Sequence, residues 1–258
     1  MDLQLTGRTA LVTGSTAGIG LAIATALASE GASVIVNGRT QERVDHAVKR
    51  SGALRGVAAD LGTEAGADKV ISEFPEVDIL VNNVGIFEPK PFEEISDADW
   101  RRFFEVNVLS GVRLSRHYIG RMKRRNWGRI LFISSESALQ IPAEMIHYGM
   151  TKTAQLAVSR GLAETTAGTG VTVNAVLPGP TASEGVTTFV DRLAETKGID
   201  RSALERQFFA EARPTSLLQR FATPDEVAAF TVFVCSPLAS AINGAALRVD
   251  GGVVRAIA

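Results

Sequence analysis

Seven short runs rich in Val, Ile and Leu recur along the chain, at Thr9–Val12, Ser33–Val36, Leu54–Ala58, Asp78–Val81, Arg129–Ile133, Val171–Leu177 and, more weakly, Ala245–Val249. Their apolar residues are continuous rather than alternating. That pattern predicts burial on both faces, hence parallel strands covered by helices. Stretches with helical spacing lie between them, at Ile19–Ser29, Arg43–Lys49, Trp100–Lys123 and Tyr148–Glu164. The alternation predicts an α/β fold, a doubly wound seven-stranded parallel sheet with helices on both faces. No proline-rich linker or charge block divides residues 1–258, so one domain is expected.

Ser183–Arg220 breaks the rhythm. It has no strand pattern but two amphipathic stretches, Val186–Thr196 and Ser202–Ala212, with Phe189, Leu193, Phe208 and Phe209 available to cover an apolar pocket. An insertion after a strand's C-terminal end stands where such sheets bind ligands, which favours a helical lid at about 183–220. A surface excursion or an oligomer contact is the alternative.

Composition removes several function classes. A net charge of -1 gives no general attraction to nucleic acid or acidic lipid. One Cys cannot form an internal disulfide, and three scattered His offer no metal-ligand spacing. No stretch reaches the roughly 20 apolar residues of a membrane span. Met1–Thr6 has neither a basic nor an apolar leader segment, so no signal peptide and a cytoplasmic location are expected.

The first strand runs into Thr13-Gly14-Ser15-Thr16-Ala17-Gly18-Ile19-Gly20 and then a helix. Glycines at such a junction let backbone approach a diphosphate, and the helix N-terminus supplies free N–H groups. Gly14, Ser15, Thr16, Gly18, Ile19 and Gly20 are therefore the candidate phosphate-binding residues. Glycine clusters also serve tight turns, so position in the first strand–turn–helix unit carries the reading.

A second constellation is Tyr148 followed four residues later by Lys152, which puts both on one helix face. Ser135 stands thirteen residues before Tyr148, just beyond the Arg129–Ile133 strand. A phenol can give a proton to a developing alkoxide, and an ammonium group about 4 Å away would favour its ionised form by roughly three pKa units. Burial opposes that shift.

With TGxxxGxG at the turn, Asp60-Leu61, Asn82-Asn83-Val84-Gly85, Asn107, Ser135, Tyr148-x-x-x-Lys152, Asn174, Pro178-Gly179 and Val249-Asp250-Gly251-Gly252, the whole chain resembles a short-chain dehydrogenase/reductase. The resemblance implies a Rossmann fold and an enzyme interconverting a ketone and a secondary alcohol, broadly like a 3-oxoacyl-(acyl-carrier-protein) reductase. It makes Tyr148 the general acid/base, Lys152 its tuner and a nicotinamide-ribose ligand, and Ser135 the donor to the substrate oxygen. Asn107 would hold a water between Lys152 and solvent; a satisfied buried amide is the plainer reading. Ser134 is the rival serine.

The resemblance also distributes the cofactor. Asp60, with Leu61 beside it, would face adenine, Asn83 and Gly85 the adenosine ribose, and Pro178, Gly179, Thr181 and Ser183 the carboxamide. Where the family carries an acid at the end of the second strand, this chain has Gly38 followed by Arg39. Arg39 would hold a 2′-phosphate, which predicts NADP(H), with NAD possible; otherwise it is an exposed Arg before a Thr40 helix cap. No metal is expected, and a homotetramer or homodimer is. Competing functions are a nucleotide-sensing binding protein without turnover, an NAD-preferring dehydrogenase, and a nucleotide-sugar epimerase or dehydratase. Glu144 and Met145 could shape the substrate opening, His147 borders the pocket or the surface, and Cys235 belongs to the core.

Overall fold

The computed structural model describes residues 1–198 and 200–257. Strands β1 (Thr9–Val12), β2 (Ser33–Gly38), β3 (Arg55–Ala58), β4 (Ile79–Asn82), β5 (Gly128–Ile133), β6 (Val171–Pro178) and β7 (Ala246–Val249) form one sheet in the order β3-β2-β1-β4-β5-β6-β7. Every pairing is parallel. The reversal of strand order falls between β1 and β4, the place where sheets of this type open a crevice at their carboxyl ends.

Continuous apolar strands follow from two cores. Ala10, Val12, Val34, Val36, Ile79, Val81, Leu131 and Ile133 face one; Leu11, Ile35, Leu80, Ile130 and Phe132 face the other. Helices α1 (Gly18–Ser29), α2 (Gln41–Ser51) and α9 (Pro224–Cys235) close the first core through residues such as Ile23, Val44 and Val232. Helices α3 (Glu64–Glu73), α5 (Ser110–Arg124) and α6 (Ile146–Glu164) close the second through Val70, Leu114 and Ala163. Cys235 is fully buried in the first core.

Local chemistry sets several boundaries. Pro224 opens α9 behind a reciprocal Thr223–Glu226 capping box, and α2 stops at Gly52 in the left-handed region. The stretch Trp100–Lys123 is not one helix. It divides into α4 (Asp97–Phe104), a π turn over Glu105–Leu109, and α5. Asn107 sits in that turn and is buried.

The irregular region contains α7 (Glu184–Lys197) and α8 (Arg201–Glu211), which share a small separate cluster of Val190, Ala194 and Leu204. The excursion leaves and returns at one point. Thr181 and Ala222 form a parallel bridge, with Ala182 N donating to Ala222 O at 2.8 Å and Ala222 N to Pro180 O at 2.9 Å.

Candidate active site

The carboxyl ends of β1, β4, β5 and β6 meet α7 and α8 around a cavity of about 590 Å³. Gly18, Ile19, Gly20, Asn83, Gly85, Ser135, Tyr148, Lys152, Pro178, Gly179, Thr181 and Ser183 all line it, so most of the sequence-predicted residues converge.

The turn after β1 is braced from below. The Asn83 amide donates to Thr13 O and Gly14 O, both at 3.0 Å, while Thr13 Oγ1 accepts from Asn83 N at 2.9 Å. Gly14 and Gly18 adopt φ of 58° and 55°, a region that disfavours side chains. A Cβ on Gly20 would lie 2.5 Å from Gly14 O, so only glycine lets α1 sit this close to the strand. Ala17 precedes α1 without a side-chain cap, and the first turn carries no acid. Gly18, Ile19 and Gly20 line the cavity, so this uncapped helix end could hold an anion there.

Ser15 does not join this surface. It is fully buried, its hydroxyl donates to Val12 O at 2.7 Å, and it accepts from Asn37 N at 2.9 Å. The residue expected at the phosphate is instead a brace between β1 and β2. Gly14, Thr16, Asp60 and Leu61 also lie outside the cavity wall. Asp60 caps its own turn by accepting from Gly62 N at 3.0 Å, and Leu61 is core. Arg39 is exposed at the end of β2, and Thr40 begins α2 without a side-chain cap. A Cβ on Gly38 would stand 2.3 Å from Thr16 Cγ2, so the acid usual in the family has no room there.

Of the two tyrosines, Tyr118 is fully buried and donates to Phe74 O at 2.7 Å, which leaves Tyr148 at the cavity. Both Ser134 and Ser135 line the cavity, but Ser134 gives its proton to Lys152 O at 2.9 Å, which leaves Ser135 as the one of the two rivals whose proton is not bound to the main chain. Ser135 Oγ accepts from Ser137 N at 3.1 Å and donates to the Glu136 carboxylate.

Electrostatics correct one expectation. Lys152 Nζ donates to Ile133 O at 2.9 Å and to Gln155 Oε1 at 3.4 Å, and lies 5.6 Å from the Tyr148 ring centre. The ammonium turns to β5 rather than to the phenol. Burial and then the Glu136 carboxylate raise the Tyr148 phenol above its ordinary 10, while a hydrogen bond from Ser135 works the other way. Burial lowers the Lys152 ammonium from 10.5 to about 8, against the pull of Glu136.

Asn107 is a satisfied buried amide. Its Oδ1 accepts from Ile86 N at 2.8 Å, and its Nδ2 donates to Ile86 O and to Thr151 Oγ1, each at 3.0 Å. The π turn leaves its main-chain oxygen free for Gln155 Nε2, at 2.6 Å. Gln155 thus joins Asn107 to Lys152.

Residues 8–193 match the family model for short chain dehydrogenases. The chain belongs to the short chain dehydrogenase family. The uncharacterized oxidoreductase YvaG of Bacillus subtilis is 52% identical, with 100% of each chain covered. D-beta-hydroxybutyrate dehydrogenase of Cupriavidus necator is 36% identical over 97% of this chain and 99% of its own. The solved structure of L-sorbose reductase from Gluconobacter frateurii, complexed with NADPH and L-sorbose, superposes with a TM-score of 0.92 at 33% identity, covering 100% of both chains. Like them, this short chain dehydrogenase is an oxidoreductase by family.

Three residues of this short chain dehydrogenase site escaped the sequence reading. Gln155 is one helical turn from Lys152, on an uninformative spacing. Glu136 and Arg213 are seventy-seven residues apart and form an ion pair, Arg213 Nε to Glu136 Oε1, at 3.1 Å, with side-chain exposures of 9% and 6%. Nothing local signals such a pair. Of the residues expected to cover the pocket, Phe208 lines the cavity, whereas Phe209 packs behind it; the side chains of Phe189 and Leu193 lie outside the described residues. Glu144 and Met145 line the opening. His147 borders neither pocket nor surface: it is fully buried against Phe103, ring centres 4.0 Å apart. Among the described residues no helix is long and apolar enough to cross a membrane, and no group of three His, Cys, Asp or Glu could hold a metal.

Proposed function

We propose that this dehydrogenase is an NADP(H)-dependent oxidoreductase interconverting a ketone and a secondary alcohol, with Tyr148 as general acid/base. The observation that carries the reading is convergence: Ser135, Tyr148 and Lys152 share one cavity wall with the uncapped start of α1. The residues present fit a dinucleotide. Uncapped N–H groups suit a diphosphate, Gly18 leaves space that a Cβ would fill against Ser183, and Arg39 stands exposed where an acid would repel a 2′-phosphate. The reductase relative named above is itself complexed with NADPH.

When bound, reduced nicotinamide supplies the hydride that reaches the carbonyl carbon. The chain's own work is positional and protonic. Ser135 Oγ turns its one proton from Glu136 to the carbonyl oxygen, and Tyr148 gives that oxygen its proton, so one hydride and one proton make the alcohol. Because burial and Glu136 hold the phenol protonated, Tyr148 is ready to donate at neutral pH. Lys152, still an ammonium below about 8, has one N–H left for the cofactor ribose and keeps its charge 5.6 Å from the ring of the phenolate that forms. Ser183, at the start of α7 with no side-chain cap, and Gly179 hold the carboxamide end. Helices α7 and α8, pinned at Thr181–Ala222, act as a lid.

The same reading includes a homotetramer or homodimer, measured by light scattering. Screening ketones and alcohols for NADPH or NADP turnover tests the activity; no turnover across chemically diverse carbonyls contradicts it.

A further inference from the structure

The Glu136–Arg213 pair is turned to the cavity rather than hidden in a core, since both residues line it. Glu136 Oε1 accepts from Arg213 Nε at 3.1 Å, and Glu136 Oε2 accepts from Ser135 Oγ. Arg213 Nη1 donates to Glu144 Oε1 at 3.1 Å and to Ala212 O at 2.7 Å. Arg213 Nη2 makes no hydrogen bond among the described residues, although the side chain is nine-tenths buried. That nitrogen is not among the fully enclosed unpartnered atoms, and Arg213 lines the cavity, so Nη2 is open to an acceptor that enters there.

Resting on the function proposed above, we propose that Glu136 and Arg213 determine specificity by reading a hydroxyl group on the carbon next to the reacting carbonyl. The substrate class is a neutral α-hydroxy ketone or polyol. Connectivity gives the reach. Ser135 Oγ adjoins Glu136 Oε2; once its proton turns to the reacting oxygen, that carboxylate oxygen is open to a donor, and the two oxygens of a hydroxy ketone stand about one hydrogen-bond length apart. The substrate hydroxyl donates to Glu136 and accepts from Arg213 Nη2, using its one proton and a lone pair.

Charge selects against an anionic substrate. The charged residues lining the cavity are Glu136, Glu144, Glu184, Lys152 and Arg213, an excess of one acid. Arg213 already faces two carboxylates, and Lys152 is committed to Ile133 O and Gln155. Among the described residues of the wall, a substrate carboxylate would meet only cations already paired or hydrogen-bonded, in a net acidic cavity. A hydroxyl matches both members of the pair without adding charge.

The test compares NADPH-dependent reduction of 3-hydroxybutan-2-one, butan-2-one and 3-oxobutanoate by the full chain. The hydroxy ketone should show kcat/KM about 10- to 100-fold above either other ketone, the worth of hydrogen bonds to charged groups. Equal reduction of butan-2-one, or preference for 3-oxobutanoate, overturns the proposal. No NADPH consumption with any of them contradicts the reductase reading itself. In the Arg213→Gln, Glu136→Gln double variant the hydroxy-to-deoxy ratio should fall towards one. A ratio unchanged in a variant that unfolds at the wild-type temperature also overturns the proposal, and the wild-type series decides the matter if the variant does not fold.

Discussion

Lys152 directs its ammonium group to the main-chain oxygen of Ile133, 2.9 Å away at the end of β5, rather than to the phenol of Tyr148. The amine is therefore a buried cation held by neutral acceptors, and its acid–base behaviour is set by desolvation first.

Stability should accordingly rise with pH in the mildly alkaline range. An unfolded lysine keeps its proton up to 10.5, whereas the folded Lys152 releases it near 8. Between those values unfolding takes up a proton, so the folded state gains as pH increases, by about 1–3 kcal/mol in total. Denaturant unfolding at pH 7.5, 8.5 and 9.5 measures it. Lys152→Met should flatten the slope; a wild-type curve that falls across this window contradicts the burial argument.

Gln155 holds that arrangement from the other side. Replacing it with Leu removes the acceptor at 3.4 Å from Lys152 and leaves Asn107 O without its 2.6 Å donor. Gln155→Leu should cost about 1–3 kcal/mol and move the alkaline rise to lower pH. Stability equal to the wild type, with the same pH profile, would show that the linkage is incidental.

His147 should act in the opposite pH range. It is fully buried, neither ring nitrogen has a hydrogen-bond partner among the described residues, and burial lowers its pKa below 6.5. Below 6.5 the unfolded histidine binds a proton that the folded one resists, so stability drops with acidification. His147→Leu should remove this drop and add about 1 kcal/mol at neutral pH by deleting two unsatisfied nitrogens. A variant less stable at pH 5.5 than the wild type would refute the prediction.

Much of this was legible in the sequence, for a physical reason. Strands buried on both faces carry their own signature, so all seven runs became strands to within a few residues. The glycine turn and the Tyr148–Lys152 spacing are local patterns that local geometry must honour. Helices α3 and α9 were missed because α3 offers few apolar positions, Ala67 and Val70 among them, while α9 is apolar on most sides and lacks a clear period. Ser15 was misplaced because spacing cannot tell the cavity side of a turn from its underside. The Glu136–Arg213 pair exists only through the return of the chain at Thr181–Ala222, a tertiary event.

Cofactor choice follows from the same strand end. Arg39→Ala should reduce the preference for NADPH over NADH by about 10- to 100-fold, read as the ratio of kcat/KM values. Installing the missing acid will not be simple. Gly38→Asp drives a Cβ into Thr16 Cγ2, at 2.3 Å, and should cost more than about 1 kcal/mol until Thr16→Gly relieves it. A native preference for NADH would overturn the role given to Arg39.

The most direct measurement compares wild type with Tyr148→Phe in two assays, NADPH binding by fluorescence and steady-state ketone reduction. The phenol's proton is the step at stake, so binding should persist while turnover falls by about 10²–10⁴-fold. Undiminished reduction by the phenylalanine variant would contradict the assignment.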